Sequence, residues 1–511
     1  MSLMRDKLQN IENDRMARSS GYGTAAIDKQ HEQGKMTARE RIDLLMDPGT
    51  FQEIDAWADS YQYGVFENEA QIPGDALVAG WGEINGRPVY VWAQDSVLLD
   101  GSMAEIHIAK IVRVMEKALN HRTPVIGIYD SEGYRLQSAM MAQSYCSYGT
   151  MLRFQAISSG VIPQIALVMG PCAGGAALSA PLADFVIMVK GKSFLHLTPA
   201  EADTSLEDYG GAKMHAAKSG TCAVLAKNDE DCLIKCRELL SFLPQSNLEA
   251  APLGDTRDAP WRADEEIMDI IPDQGGKGYD MRRIIRLIAD DHQYFEIQAD
   301  YAPNLSIGFA RFDGRSVGII ANNPRWLGGC EDYRSSDKHS RFTRFCDAMN
   351  MPLVYLADCP GFRPSIEQEH SGILRHGCMV IHSTCEATVP KISIILRKIY
   401  GGAQLAMPGN FCKPDSLWAW PLAERGIMGT DALVSIIYKG RLERAATPEE
   451  KAKIKEEARL RMANAVTKSA RNGNEEMIDP RQTRPLIIRA LKAQRHKNVT
   501  WPERKHGNIN L

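Results

Sequence analysis

Six glycines stand where backbone amides could do chemistry. Gly133 follows the apolar run VIGIYD, and Gly174 and Gly175 follow a second run, PQIALVMG. Gly361, Gly401 and Gly402 repeat that arrangement later in the chain. Amides at the end of a strand and the start of a helix lack partners within the element, so several can converge on one point and hold a developing oxyanion. A side chain there would obstruct the approach. Gly-Gly after a strand also serves simply to make a tight turn, which is the plainer reading of an isolated pair. Here Gly-Gly-Ala stands eleven residues after a proline in both places, Pro163 and Pro390, which favours the functional reading. Two oxyanion sites in one chain predict chemistry with two enolate-like partners.

No side-chain catalyst is comparably marked. None of the twelve histidines falls into a metal or triad pattern. Asp130 and Asp358 fit either a base or a cap on the following turn, and Arg135 and Arg363 are equally open. There is no phosphate-binding Walker sequence and no convincing dinucleotide glycine motif, so neither ATP nor NAD is implied. The eleven cysteines include no Cys-x-x-Cys pair, and Cys232 with Cys236 lacks a second pair to complete a zinc site; no metal is expected.

The elements that must position the glycines are written twice. GWGEINGRPVYVWAQD (Gly80 to Asp95) and GFARFDGRSVGIIANN (Gly308 to Asn323) each carry a two-residue turn, Asn85-Gly86 or Asp313-Gly314, between apolar strands, and they lie 228 positions apart. The same offset relates PVIGIYDSEGYR to PLVYLADCPGFR, aligning Asp130 with Asp358 and Gly133 with Gly361. It slips by one residue where IPQIALVMGPCAGGAALS answers VPKISIILRKIYGGAQLA. Three matches in nearly constant register mean one domain present twice, each copy a β-hairpin followed by parallel βαβ units. Residues 1–250 and 251–511 are the predicted domains, with a Pro, Asp and Gly-rich linker over 246–273. Thr37 to Glu40 reads as a capping box that opens a helix in an N-terminal extension.

Composition sets the outer limits. The chain of 511 residues is 44% hydrophobic and 24% charged, as in a globular protein, and its net charge of -4 gives no reason to expect a nucleic-acid partner. The basic stretch from Arg481 to Lys505 reads as a solvated surface helix. The longest apolar stretch, Val161 to Val189, is broken by prolines, glycines and Asp184, so no membrane span of about 20 apolar residues is predicted. The first twenty residues lack the apolar core of a secretory signal, which predicts reduced thiols and a cytoplasmic location.

At these residues the sequence resembles the carboxyltransferase family that includes propionyl-CoA carboxylase β subunits, the transcarboxylase large subunit, and methylmalonyl-CoA and glutaconyl-CoA decarboxylase subunits. The likeness is carried by KMTARERIDLLMDPGTFQEID, SGVIPQIALVMGPCAGGAALSAPLADFVIMVK, SSDKHSRFTRFCDAMNMPLVYLADCPGF, QEHSGILRHG, EATVPKISIILRKIYGGA and WAWPLAERGIMG, and runs from about Lys35 to Leu442. It implies an α/β protein of two tandem crotonase-like ββα-superhelix domains related by internal duplication. It also implies a mechanism in which biotin on a separate carrier protein brings the carboxyl group, and the freed ureido nitrogen takes the α-proton of a CoA thioester. Gly174 and Gly175 would then belong to the acyl-CoA side, with Glu132, Gly133, Tyr134, Ala173 and Ala176 near the substrate. Gly402 and Ala403 would cradle the ureido oxygen, beside Gly361, Phe362, Gly401 and Leu405. The implied partners are a biotin carboxyl carrier protein, a biotin carboxylase subunit, and copies of the chain itself, as a hexamer built of dimers in which the two sides meet across the dimer interface. The chain has no Met-Lys-Met biotinylation sequence.

Three stretches depart from the family pattern. Glu132-Gly133-Tyr134 replaces Gly-Gly-Ala, which puts a ring and a carboxylate at the mouth of the acyl site. Gln404-Leu405 replaces Tyr-Asp, and the loop from Phe194 to Pro199 differs from Phe-Ile-Thr-Gly-Pro. Tyr134 either recognises a polar or planar acyl group or packs against its own helix. The alternatives to a carboxylase are a decarboxylase that runs the transfer in reverse, a non-catalytic structural paralogue in a carboxylase assembly, and a biotin-free crotonase-type hydratase or hydrolase. The last of these would not need the second glycine site.

Overall fold

Both hairpins turn on residues with positive φ, Asn85 (52°) with Gly86 (70°) and Asp313 (53°) with Gly314 (76°). A type I′ turn needs that conformation at both central positions, and its twist matches that of the strands it joins. In the computed structural model, which describes residues 3–20, 23–61, 72–136, 148–200, 203–274, 276–471 and 474–509, the chain divides into two units, Met1–Glu249 and Ala250–Leu511.

In the first unit, helix α1 (Ala38–Leu45) opens on the expected capping box, with the Thr37 hydroxyl accepting from the Glu40 amide and the Glu40 carboxylate accepting from the Thr37 amide. An edge strand β1 (Gln52–Glu53) precedes the hairpin β2 (Leu77–Ile84) and β3 (Arg87–Gln94). Then come helix α2 (Glu105–Asn120), β4 (Val125–Ser131), helix α3 (Tyr148–Ser158), β5 (Gln164–Ala173), β6 (Phe185–Val189), β7 (Phe194–His196), β8 (Val224–Ala226) and helix α4 (Asp229–Phe242). The sheet order is β1-β2-β3-β4-β5-β6-β8, antiparallel up to β3 and parallel beyond it, and β7 adds to the end of β5. Strands β4 and β6 are buried along their whole length, as expected of parallel strands covered on both faces.

The second unit repeats this plan. It holds β9 (Phe295–Ile297), the hairpin β10 (Leu305–Phe312) and β11 (Arg315–Asn322), helix α5 (Tyr333–Ala348), β12 (Leu353–Cys359), helix α6 (Ile373–Glu386), β13 (Lys391–Tyr400), helix α7 (Ala403–Ala406), β14 (Ser416–Ala419), β15 (Glu424–Gly426), β16 (Glu476–Met477) and helix α8 (Thr483–Ala493). Its order is β16-β14-β13-β12-β11-β10-β9, and β15 extends β13 as β7 extends β5. The pairing between the two central parallel strands shifts at the same place in both units, between Tyr129 and Ser131 and between Ala357 and Cys359. Buried lysines also correspond. Lys110 Nζ donates to the carbonyls of Gly74 and Leu77, and Lys338 Nζ to those of Gln298, Tyr301 and Leu305, tying α2 and α5 to the chain entering each hairpin.

Two expectations need correction. The stretch 246–273 is not a free linker, because Ile267, Ile270 and Ile271 pack into the core of the second unit with Ile284 and Ile288, and the Gly254 amide donates to Gly314. Their apolar side chains outweigh the surrounding turn residues. The basic tail is solvated only in part, since α8 buries Ile487, Ile488 and Leu491 and sinks Arg484 against Asp290 at 2.6 Å, while most of 492–505 beyond it is exposed. Among the described residues no helix is long and apolar enough to cross a membrane.

Candidate active site

In the first unit the site begins where β4 ends. Gly133 has φ +116°, a conformation that disfavours side chains, and its carbonyl accepts from the Met103 amide at 2.8 Å while the Arg135 amide donates to the Met103 carbonyl at 2.8 Å. These bonds pin Tyr134 between them. A Cβ on Gly133 would lie 3.3 Å from the Ala173 carbonyl oxygen, so this loop sits directly on the end of β5. There the chain turns through Gly174, at φ +69°, into a single 3-10 turn, Gly174–Leu178. The amides of Gly174 and Gly175 precede its first internal hydrogen bond. The Gly133 amide is engaged by the Ser131 hydroxyl at 3.1 Å. Glu132 is exposed, with its amide donating to the Asp100 carbonyl, and Ala173 is half-buried; the side chain of Ala176 lies outside the described residues.

Tyr134 is half-buried and meets Tyr148 of α3, with ring centroids 5.3 Å apart. Tyr148 in turn covers Gly175, where an added Cβ would come within 3.2 Å of its ring. Burial raises the Tyr134 phenol's pKa, with the charges of Glu105 and Asp75 adding to the effect. No sequence pattern marks Tyr148; the 228-residue offset leads from it to His376, one residue before Gly377. Residues 137–147, between Tyr134 and Tyr148, lie outside the described residues.

The second unit builds the same turn. Gly361 has φ +130°, its carbonyl accepts from the Glu331 amide at 3.1 Å, and the Arg363 amide donates to the Glu331 carbonyl at 2.7 Å. Gly401 has φ +51° and donates its amide to the Gly426 carbonyl at 3.0 Å, which removes it as an oxyanion donor. The first helical bonds come from Gln404 to Gly401 and from Leu405 to Gly402, so the amides of Gly402 and Ala403 stand ahead of them. The Phe362 ring lies on Gly402, where a Cβ would be 2.8 Å from Cδ2. Gly361, Phe362, Gly401, Gly402 and Ala403 are thereby brought together. Leu405 is half-buried on the following turn and accepts from the Cys412 thiol through its carbonyl at 3.2 Å.

Neither strand-end aspartate is free. Asp130 is fully buried and takes Arg41 and Lys35, each at 2.8 Å, and the Ser96 hydroxyl at 3.0 Å. Burial opposes the charge on Arg41, but Asp130 and Asp229 outweigh it and raise its pKa. Asp358 accepts from Tyr279 at 2.9 Å and Arg397 at 3.0 Å, and burial raises its pKa. Both aspartates anchor the loop that carries the first glycine of their site. Arg135 is likewise committed, to Asp75 at 2.7 Å.

Two parallel-sheet units, each ending a central strand in a turn whose leading amides stand ahead of the first helical bond, define a tandem crotonase-like protein. The carboxyl transferase domain family matches residues 29–509, and the chain belongs to that family. It is 42% identical to the methylmalonyl-CoA decarboxylase subunit alpha of Veillonella parvula, across 100% of both chains. To the propionyl-CoA carboxylase beta chain of Roseobacter denitrificans it is 41% identical, covering 99% of this chain and 100% of that one. The transcarboxylase 12S crystal structure, a hexamer with methylmalonyl-coenzyme A and methylmalonic acid bound, superposes with a TM-score of 0.94 at 39% identity, covering 100% of this chain and 99% of the other.

Proposed function

We propose that the protein is the carboxyltransferase subunit of a biotin-dependent acyl-CoA carboxylase, with the first unit's turn serving the CoA thioester and the second unit's turn serving biotin on a separate carrier protein. The observation that carries this reading is the pair of matched turns, Gly174-Gly175 and Gly402-Ala403, each presenting amides with no intrahelical acceptor. Polarising a thioester carbonyl towards an enolate needs hydrogen-bond donors aimed at the oxygen and no side chain in its way, and backbone amides are enough. Gly174 and Gly175 meet that requirement. The donors at Gly402 and Ala403 are also uncharged and suit the neutral ureido oxygen. When bound, biotin supplies the carboxyl group and the base for the α-proton, so neither turn needs a side-chain base of its own. The Phe362 and Tyr148 rings pack against the second and first turns respectively.

The relatives include both a carboxylase and a decarboxylase chain. The same two turns serve either direction, because the enolate is common to both. The reading also includes a hexamer, a trimer of dimers in which the first unit of one subunit faces the second unit of another, together with carrier and biotin carboxylase partners and a cytoplasmic location. Copurification with mass spectrometry identifies the partners and fixes the direction. The isolated chain is expected to carry no covalent biotin and to be inactive until a biotinylated carrier is supplied. A streptavidin-positive band at full chain mass, or carboxyl transfer without any carrier, overturns the proposal.

A further inference from the structure

The turn of the first unit reads Gly174-Gly175-Ala176-Ala177, whereas the second reads Gly401-Gly402-Ala403-Gln404. Presenting amides requires no polar side chain at the fourth position, yet Gln404 is only 9% exposed. Its Oε1 accepts from Arg425 Nε at 2.7 Å, and its Nε2 donates to the Gly426 carbonyl at 2.9 Å. That carbonyl is the one that receives the Gly401 amide at 3.0 Å. Arg425 lies on β15 opposite Ile399 of β13, the strand that runs into the turn. The turn is therefore held at two points, through the ladder and through Gln404.

In the first unit the corresponding places are apolar. Ala177 stands at the position of Gln404, and Leu195, opposite Cys172 on β5, stands at that of Arg425; both belong to the hydrophobic core. An apolar pair that packs well has been exchanged for an amide and a guanidinium, each more than nine-tenths buried. Such an exchange does not stabilise a core by itself, because desolvation of the charge opposes it. Burial indeed lowers the pKa of Arg425, and its Nη1 is buried with no hydrogen-bond partner. What the exchange does provide is a fixed direction, since a glutamine bonded at both ends of its amide has one orientation and Gly426 cannot move without breaking two bonds.

We infer that Gln404 and Arg425 form a positioning unit that fixes the Gly401 to Ala403 turn, and so aims the Gly402 and Ala403 amides. The inference rests on the proposed role of that turn on the biotin side. Its test uses the full-length oligomer with a biotinylated carrier protein and the acyl-CoA that the wild type uses best. Gln404→Met keeps the length of the side chain and removes both bonds, and Arg425→Met removes the donor. Misplacing donors by a fraction of an ångström lowers kcat by about tenfold or more, so each variant is expected to lose that much while the KM for acyl-CoA stays within about twofold. The double variant is expected to be no worse than either single one, because the bonds form one chain. Arg425→Lys keeps a cation and a donor for Gln404 and is expected to recover part of the loss, which also serves where Arg425→Met does not fold. Hydrogen exchange followed by mass spectrometry is expected to quicken in the peptide over 400–406 and not in that over 170–180. A kcat within about twofold of wild type in the Gln404→Met variant, or a rise in the acyl-CoA KM that matches the loss in kcat, overturns the inference. Gly402→Val separates it from the reading beneath it. An active Gly402→Val protein defeats the assignment of the turn, whereas an inactive one beside a wild-type-like Gln404→Met defeats only the positioning unit.

Discussion

Adding one methyl group to each turn distinguishes the two. Gly402 has φ -60°, so Gly402→Ala is allowed by the backbone and the cost lies in contacts. The new Cβ would stand 2.8 Å from Cδ2 and 2.9 Å from Cε2 of Phe362. That ring cannot simply retreat, because on α6 it already lies where a Cβ on Gly377 would be 3.1 Å from its Cζ. Phe362 is also tethered through its backbone, between the bonds that Gly361 and Arg363 make with Glu331. The turn must therefore yield instead of the ring. At Gly175 the nearest atoms are those of the Tyr148 ring at 3.2 Å, and a shift of a few tenths of an ångström relieves the contact. Losing one donor of an oxyanion hole costs about 3 kcal/mol, a factor of roughly a hundred or more in kcat. Gly402→Ala is expected to approach that loss, and Gly175→Ala to stay within about tenfold of wild type. The assay is steady-state transfer between a biotinylated carrier and an acyl-CoA, with thermal melts to show that both variants fold. Phe362→Leu in the Gly402→Ala background makes room for the methyl group and is expected to recover most of the activity. Equal activity of the two alanine variants, or no recovery with Phe362→Leu, refutes the reasoning.

Asp95→Asn is expected to stabilise the protein at neutral pH and to have little effect near pH 4. Burial pushes the Asp95 carboxyl up to about 6 from 3.8, so its charge destabilises the fold increasingly as pH rises through that window and fully above it; a shift of that size is worth roughly 3 kcal/mol at most. Thermal melts at pH 4 and pH 7.5 check this, and a variant no more stable than wild type at pH 7.5 defeats it. Light scattering is expected to give a hexamer, and a monomer that stays active after reconstitution excludes the assembly proposed here. Propionyl-CoA and acetyl-CoA are expected to be poor substrates, with Tyr134→Ala changing the ranking across an acyl-CoA panel. Propionyl-CoA as the best substrate, with an unchanged ranking in the variant, removes Tyr134 from substrate recognition.

The hairpins, the capping box of α1 and the two glycine turns were legible in the sequence because each is encoded within a few residues. Asn85-Gly86 needs no distant partner to form a type I′ turn, and Thr37 finds Glu40 one helical turn away. The charges were not legible in that way. Asp130 is neutralised by Arg41 and Lys35, 89 and 95 positions before it, so nothing near the aspartate distinguishes an ion-paired anchor from a catalytic base. Its counterpart Asp358 finds Arg397 and Tyr279 instead, on different elements. Duplication preserved the need for a counter-charge and not the residue that supplies it. Tyr148 is illegible for a related reason, because its contact with Gly175 depends on how α3 packs and not on any local pattern.

The duplication nevertheless supplies a control that a single-copy fold lacks, because each buried position has a twin in the same architecture. Where the twins agree in character, as Lys110 and Lys338 do, the residue answers a demand of the fold. Where they disagree, the fold evidently tolerates either choice, and the costlier one needs another cause. Asp95 is answered by Asn323, and the pair makes the same local turn, with the amides of Val97 and Arg325 donating to Asp95 and Asn323. The turn can therefore be made without a buried charge. Met103 and Ile111 are answered by Glu331 and His339, a pair 3.2 Å apart and no more than 1% exposed, directly behind the loop that holds Phe362. Ala177 and Leu195 are answered by Gln404 and Arg425. The polar member of each of these last two pairs of sites falls in the second unit, against the segments that shape the Gly402 turn. At the places of Gln404 and Arg425 the first unit supports its turn with Ala177 and Leu195 alone, so the polar contacts there are concerned with directing the second turn and not with holding the sheet together.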